Sequence, residues 1–226
     1  MLKDGDKVLV AVSGGVDSLA LAWVLSLWEK KAPIHYDLMA VHLDMGFDGD
    51  SHQKVEKEIQ KIDVPYKIER TSIGIDAYKK SDRESGCFNC AKQRRKLLFD
   101  IARAGNFSKI ALGHHKDDII ETFFLNIFYS GNISTMVPKQ VLFNGDLALI
   151  RPFAFLEKTH VIEIANAAGI IPVKNPCPMA DQSKREDMRT FLATLFEQNP
   201  SFKSNVFASL SNVRSDYLLN STKKGI

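Results

Sequence analysis

Residues 8–25 read VLVAVSGGVDSLALAWVL: an apolar run, a break containing Ser13, Gly14, Gly15, Asp17 and Ser18, then a second apolar run with a different period. Lys7 to Val12 has the length and branching of a buried strand, whereas Leu19, Ala22, Trp23 and Leu27 recur at helical spacing. Followed by further alternating strands and helices, such a strand-turn-helix start suggests parallel pairing with helical crossovers. Adjacent glycines bring successive N–H groups close to a ligand that a Cβ would exclude, and the helix start adds its dipole and unpaired donors. Ser13 and Ser18 contribute hydroxyls, so the turn has the makings of a phosphate cradle. A plain turn capped by Asp17 and Ser18 is the simpler alternative.

The break lacks the lysine and spacing of a Walker A loop and the three glycines of a dinucleotide fingerprint, which disfavours ordinary kinases and hydride-transfer enzymes. Asp17 would repel phosphate inside such a cradle unless a cation lay between them, and Mg²⁺ meets that need.

The rhythm continues with strands at Tyr36–Leu43 and Tyr66–Thr71 around a charged helix at His52–Lys61. Residues 72–90 are polar and break the pattern; a helix then resumes at Ala91–Ala104, before a strand at Lys109–Leu112 and a helix at Lys116–Tyr129. Val137–Leu142 and Leu147–Ile150 flank Asn144-Gly145 as a hairpin. Helices follow at Glu157–Ala168, Arg185–Glu197 and Ser201–Leu219, and the final STKKGI reads as a frayed tail. The expected fold is α/β: three layers, with a parallel sheet between helices.

A length of 226 residues with 45% hydrophobic content supports one large domain, and a formal charge of +3 permits a polyanionic partner without requiring one. Three cysteines are too few for a disulfide scaffold and point to a reducing, cytoplasmic setting. No leader is recognisable and no run of about 18 apolar residues occurs, so no membrane association is expected.

Cys87 and Cys90 have metal-ligand spacing, which a redox dithiol shares; Cys177, between Pro176 and Pro178, could be brought to them or be a buried small side chain. Thiolate ligation admits zinc or iron–sulfur, and three protein ligands on a [4Fe–4S] cluster would leave one iron open. His114, His115, Asp117 and Asp118 could form a metal site of their own or cap a helix, with Glu121 on the same face as Asp117. Lys92, Arg94 and Arg95 form a basic helix face suited to RNA backbone or simply to solvent.

SGGVDS (13–18), VHLDMG (41–46), LGHHKDDIIET (112–122) and Arg151-Pro152 resemble, in order, the signature blocks of the PP-loop ATP pyrophosphatases in their tRNA-modifying branch. The resemblance implies an adenine nucleotide alpha hydrolase-like, Rossmann-like fold, with residues 1–180 as the PP-loop domain and 181–226 as a helical extension packed on it. It implies ATP held by Ala11, His42 and Leu43 near base or ribose, by Ser13, Gly14, Gly15, Asp17 and Ser18 around the pyrophosphate, with Gly113 beside them. Arg151 would neutralise phosphate, and Asp117 or Asp118 would hold Mg²⁺ or position the substrate.

Cys-x-x-Cys, then Gln93-Arg94-Arg95, then a single later cysteine, is similar to the tRNA 2-thiocytidine synthetase group. That likeness implies a [4Fe–4S] cluster on Cys87, Cys90 and Cys177, adenylation of cytidine 32 at C2, and sulfur from sulfide or a cysteine desulfurase persulfide. Arg94 would steer RNA and touch the reacting base, and a homodimer is permitted. The family commonly has a second cysteine near the third ligand, where this chain has Met179 and Ala180, and the chain lacks the zinc ribbons of the 2-thiouridine enzymes. The rivals are a tRNA-Ile lysidine synthetase-like ligase, which gives the cysteines no role, and a non-catalytic ATP-binding or zinc-stabilised RNA-binding module.

Overall fold

The computed structural model describes residues 1–47, 49–80, 83–180 and 183–219; the tail at 221–226 lies outside these. β1 (Asp6–Ala11) enters α1 (Val16–Lys31) through the glycine turn, followed by β2 (Tyr36–Asp44), α2 (Ser51–Ile62) and β3 (Tyr66–Arg70). Then come α3 (Ile73–Lys80), α4 (Arg83–Ala104), β4 (Lys109–Ala111), α5 (Lys116–Ser130), β5 (Lys139–Leu142) and β6 (Leu147–Ile150). The remaining helices are α6 (Lys158–Ala167), α7 (Lys184–Gln198) and α8 (Ser201–Ser209), and a 3₁₀ turn spans Ser215–Tyr217.

The six strands lie in the order β3-β2-β1-β4-β6-β5, parallel except for β5, which pairs antiparallel with β6 through the expected hairpin. Alternation along β1 sends Val8 and Val10 to the face covered by α1, α2 and α6, and Leu9 to the face where Leu98 and Ala102 of α4 pack. A strand buried on both sides must be apolar throughout, which explains the continuous run at the start of the chain. Chain order reverses across β1, since β2 lies on one side and β4 on the other. That switch point opens a crevice beyond the carboxyl ends of β1 and β4, where ligands bind in open α/β sheets.

Two elements differ from expectation. Residues 72–90 are largely helical, so Cys87 and Cys90 ride on the first turns of α4 rather than on a loop. Packing overrides the polar composition here. Gly74 lies so close to Met45 that a Cβ would meet the Met45 carbonyl at 2.8 Å, and the Gly74 N–H donates to that same carbonyl at 3.0 Å. At the other end α8 stops at Ser209 instead of running to Leu219; Ser209 and Ser211 turn their hydroxyls onto the Val206 and Ala208 carbonyls, the local bonding by which serine competes with helix continuation.

A third apolar cluster joins Ile120 of α5 to Met188 and Leu192 of α7, with Val206 and Phe207 of α8 packed against it. This cluster docks the carboxyl-terminal helices beside the crevice. No helix among the described residues is long and apolar enough to cross a membrane.

Candidate active site

The glycine turn is shaped from within. Gly14 has φ +90°, and a Cβ there would lie 2.6 Å from Val55 Cγ2 of α2, so both backbone and space demand glycine. Ser18 donates its hydroxyl to the Gly15 carbonyl at 3.0 Å and accepts from the Ser13 N–H at 3.1 Å. The Gly15 N–H points to Ser13 Oγ at 3.4 Å. Both serines therefore brace the turn. Gly15 is the N-cap of α1 and no side chain caps that helix, which leaves its first N–H groups to a ligand and removes the capping alternative for Asp17.

Gly113, at the exit of β4, abuts the first turn of α1: a Cβ would meet the Asp17 carbonyl at 2.8 Å and the Ser18 nitrogen at 3.0 Å. Glycine here lets the next segment, His114 to Asp118, approach the cradle. His115 is buried, with Nε2 3.7 Å from Asp17 Oδ1 and 3.4 Å from Asp118 Oδ2, and Nδ1 3.4 Å from Asp117 Oδ2. Three carboxylates thus surround one imidazole.

Each carboxylate also has a partner that sequence reading missed. Lys158 Nζ lies 2.5 Å from Asp17 Oδ1, and the Lys158 N–H donates to Asp117 Oδ2 at 2.9 Å. Lys203 of α8 reaches Asp117 Oδ1 at 2.7 Å and Glu157 Oε2 at 3.0 Å, and Lys116 holds Glu157 Oε1 at 3.0 Å. Burial acts first on Asp117 and would raise its carboxyl. The adjacent His115 imidazole and hydrogen bonds from Lys203 and the Lys158 N–H outweigh it and hold the group well below the usual carboxylate range. Asp118 accepts from the His115 N–H at 3.0 Å. Glu121 is buried and paired with Arg185 at 3.2 Å and Arg189 at 3.0 Å, so these two basic side chains of α7 are turned inward to α5.

Arg151 is buried: Nη1 donates to the Val137 carbonyl at 2.6 Å and Nε to His114 Nδ1 at 3.3 Å. Accepting at Nδ1 leaves the His114 proton on Nε2. Burial pushes His114 down to about 4; Asp118 opposes this, while Arg151, Arg185 and Arg94 add to it. His42 is buried and donates from Nδ1 to the Val12 carbonyl at 2.8 Å, and burial lowers its pKa. Leu43 is buried in the core on the α4 side and Ala11 borders that cluster, so this part of the predicted nucleotide wall consists of strand ends with inward side chains.

Cys87, Cys90 and Cys177 lie in one region of the fold, within electrostatic reach of one another. Burial pushes the Cys90 thiol up, Arg94 one helical turn later pulls it down, and Cys177 and Cys87 raise it again. The charge of Arg94 therefore acts on both the Cys90 thiol and His114. Among the described residues no three His, Cys, Asp or Glu side chains converge as tightly as a single ion requires. The carboxylates around His115 are instead partnered by Lys158, Lys203, Arg185 and the Lys158 N–H. The segment before Cys177 lies along the turn, with the Val173 N–H on the Gly14 carbonyl at 2.9 Å, and lines a cleft of 620 Å³ with Lys54, Lys57 and Lys174.

A switch-point crevice, a glycine cradle after the first strand and a carboxylate-rich segment after the fourth define a PP-loop protein, and the PP-loop domain family matches residues 2–195. The tRNA-cytidine(32) 2-sulfurtransferase of Syntrophotalea carbinolica is 35% identical over 227 residues, covering 99% of this chain and 88% of that protein. That of Geotalea uraniireducens is 34% identical, with 97% and 88% covered, and that of Colwellia psychrerythraea 36%, with 98% and 71% covered. The chain belongs to the PP-loop family and, within it, to the family of these sulfurtransferases. The fold is shared with the U34-tRNA thiolase NcsA of Methanococcus maripaludis, solved with its [4Fe–4S] cluster (TM-score 0.75, 22% identity, 93% of this chain and 72% of that one). It is shared more loosely with the NH3-dependent NAD synthetase of Campylobacter jejuni (TM-score 0.52, 17% identity, 96% and 86% covered).

Proposed function

We infer that the chain is an ATP-dependent tRNA-cytidine(32) 2-sulfurtransferase. The observation that carries this reading is the likeness to tRNA-cytidine(32) 2-sulfurtransferases over nearly the whole chain, supported by the placement of Cys177 on a segment hydrogen-bonded to the glycine turn. Nucleotide activation and sulfur delivery then share one wall. Lysine transfer, the rival chemistry, leaves the converging thiols idle.

The uncapped start of α1 and the Gly14–Gly15 backbone would hold the phosphates of ATP. The cytidine O2 attacks the α-phosphorus, the bond to the β-phosphate oxygen breaks, and pyrophosphate departs with that electron pair. Sulfide then adds at C2 and AMP leaves with the original oxygen, an exchange without net redox change. A persulfide donor would require two further electrons from a reductant. Arg94, near both Cys90 and His114, is suited to orient the flipped-out base, because loop bases must be unstacked before such chemistry.

Asp17, at the cradle rim, would hold Mg²⁺, which when bound supplies neutralising charge on the phosphates. Cys87, Cys90 and Cys177 would hold a [4Fe–4S] cluster, which when bound offers an iron for sulfur. The donor set fits in kind: three soft thiols within electrostatic reach of one another suit iron–sulfur ligation, whereas structural zinc normally wants four protein ligands. The tRNA partner and a cytoplasmic location follow from this reading.

The test is an anaerobic reaction of the iron-loaded protein with tRNA, ATP and sulfide. One AMP and one pyrophosphate per 2-thiocytidine support the reading; ADP in place of AMP contradicts it.

A further inference from the structure

The turn Ser13–Ser18 contains no cation, and its two hydroxyls are engaged with each other and with the turn backbone. A leaving pyrophosphate nevertheless accumulates several negative charges, which backbone N–H groups alone neutralise incompletely. Lys158, 141 residues further on, puts its ammonium 2.5 Å from Asp17 at the mouth of this turn. Its backbone is fixed. The Lys158 N–H is held by Asp117, the Lys116 N–H donates to the Leu156 carbonyl at 2.8 Å, and Lys116 pairs with Glu157. The side chain is 37% exposed, so its four-carbon stem can swing from a fixed base. Two other cations beside the carboxylate segment are committed elsewhere, Lys203 to Asp117 and Glu157, and Arg151 to Val137 and His114.

We propose that Lys158 is a further catalytic residue, the phosphate-binding lysine that this turn lacks. It neutralises Asp17 before nucleotide binds and turns to the β- and γ-phosphates when ATP fills the cradle. It stays protonated throughout: as pyrophosphate leaves with the electron pair of its bond to the α-phosphorus, the ammonium supplies charge and hydrogen bonds but transfers no proton. Lysine suits this task because it acts as a mobile point charge. The assignment rests on the reading of Ser13–Ser18 as the ATP cradle.

Calorimetric titration of the full chain with magnesium ATP, pyrophosphate and AMP tests it. Lys158→Met should weaken ATP and pyrophosphate binding by roughly 10- to 100-fold, the loss of one charge-assisted contact, while AMP affinity stays within about twofold. Lys158→Arg should restore most of the difference. Unchanged ATP and pyrophosphate binding in Lys158→Met would show that the lysine serves Asp17 alone. Parallel loss of AMP and ATP would show that it acts through the shape of the turn. Either result overturns the proposal while leaving the cradle reading intact, whereas failure of the wild-type protein to bind ATP removes both.

Discussion

The Gly14 carbonyl accepts a hydrogen bond from the Val173 N–H at 2.9 Å, so the segment ending in Cys177 is fastened directly to the nucleotide turn. A distortion at one of these places must therefore be felt at the other.

Gly14→Ala is the substitution that tests this coupling. The residue sits at φ +90°, where an L side chain is strained, and its Cβ would overlap Val55. A destabilisation of about 1–3 kcal/mol is expected, corresponding to roughly 2–4 °C of melting temperature per kcal/mol in a chain of this size. Thermal denaturation measures it. ATP binding should fall as well, and retention of both properties would mean that the turn relaxes freely.

His114 predicts a pH dependence. Its folded pKa, about 4, lies below its ordinary 6.5, so the unfolded chain binds the extra proton more readily between those values. Stability is consequently full above pH 6.5 and falls as the pH drops towards 4. Replacing His114 with Gln removes the titrating group, and denaturant unfolding at pH 7 and pH 5 should then differ less than in the wild type. An unchanged difference would assign the acid sensitivity to other groups.

Glu121 is the buried anion that receives Arg185 and Arg189. Glu121→Gln leaves two guanidinium groups facing a neutral amide. Because both arginines are partly exposed, the cost should be moderate, about 1–3 kcal/mol. The loss should fall on the docking of α7, so limited proteolysis ought to cut within residues 181–198 before the rest of the chain. Uniform protection would show that the apolar contacts of Met188 and Leu192 suffice.

The parts of this site that were legible in the sequence are those fixed by local rules. The strand-turn-helix at Lys7–Lys31, the hairpin at Asn144-Gly145 and the carboxylate-bearing start of α5 all depend on neighbouring residues. Lys158 and Lys203 were illegible for the opposite reason. Each is one lysine among many, and only the docking of α6 and α8 beside the crevice brings it to Asp17 or Asp117. Arg151 was legible as a motif residue, but its burial against Val137 and His114 was not, because that depends on the hairpin edge. The helical setting of Cys87 and Cys90 was hidden by a polar stretch whose helices form because Gly74 and Ala77 pack against the rest of the fold.

Mass spectrometry of tRNA nucleosides from cells with and without the gene addresses the central claim most directly. Deletion should abolish 2-thiocytidine, and the wild-type gene but not Cys177→Ser should restore it. Unchanged 2-thiocytidine in the deletion strain, or full recovery with Cys177→Ser, would contradict the claim.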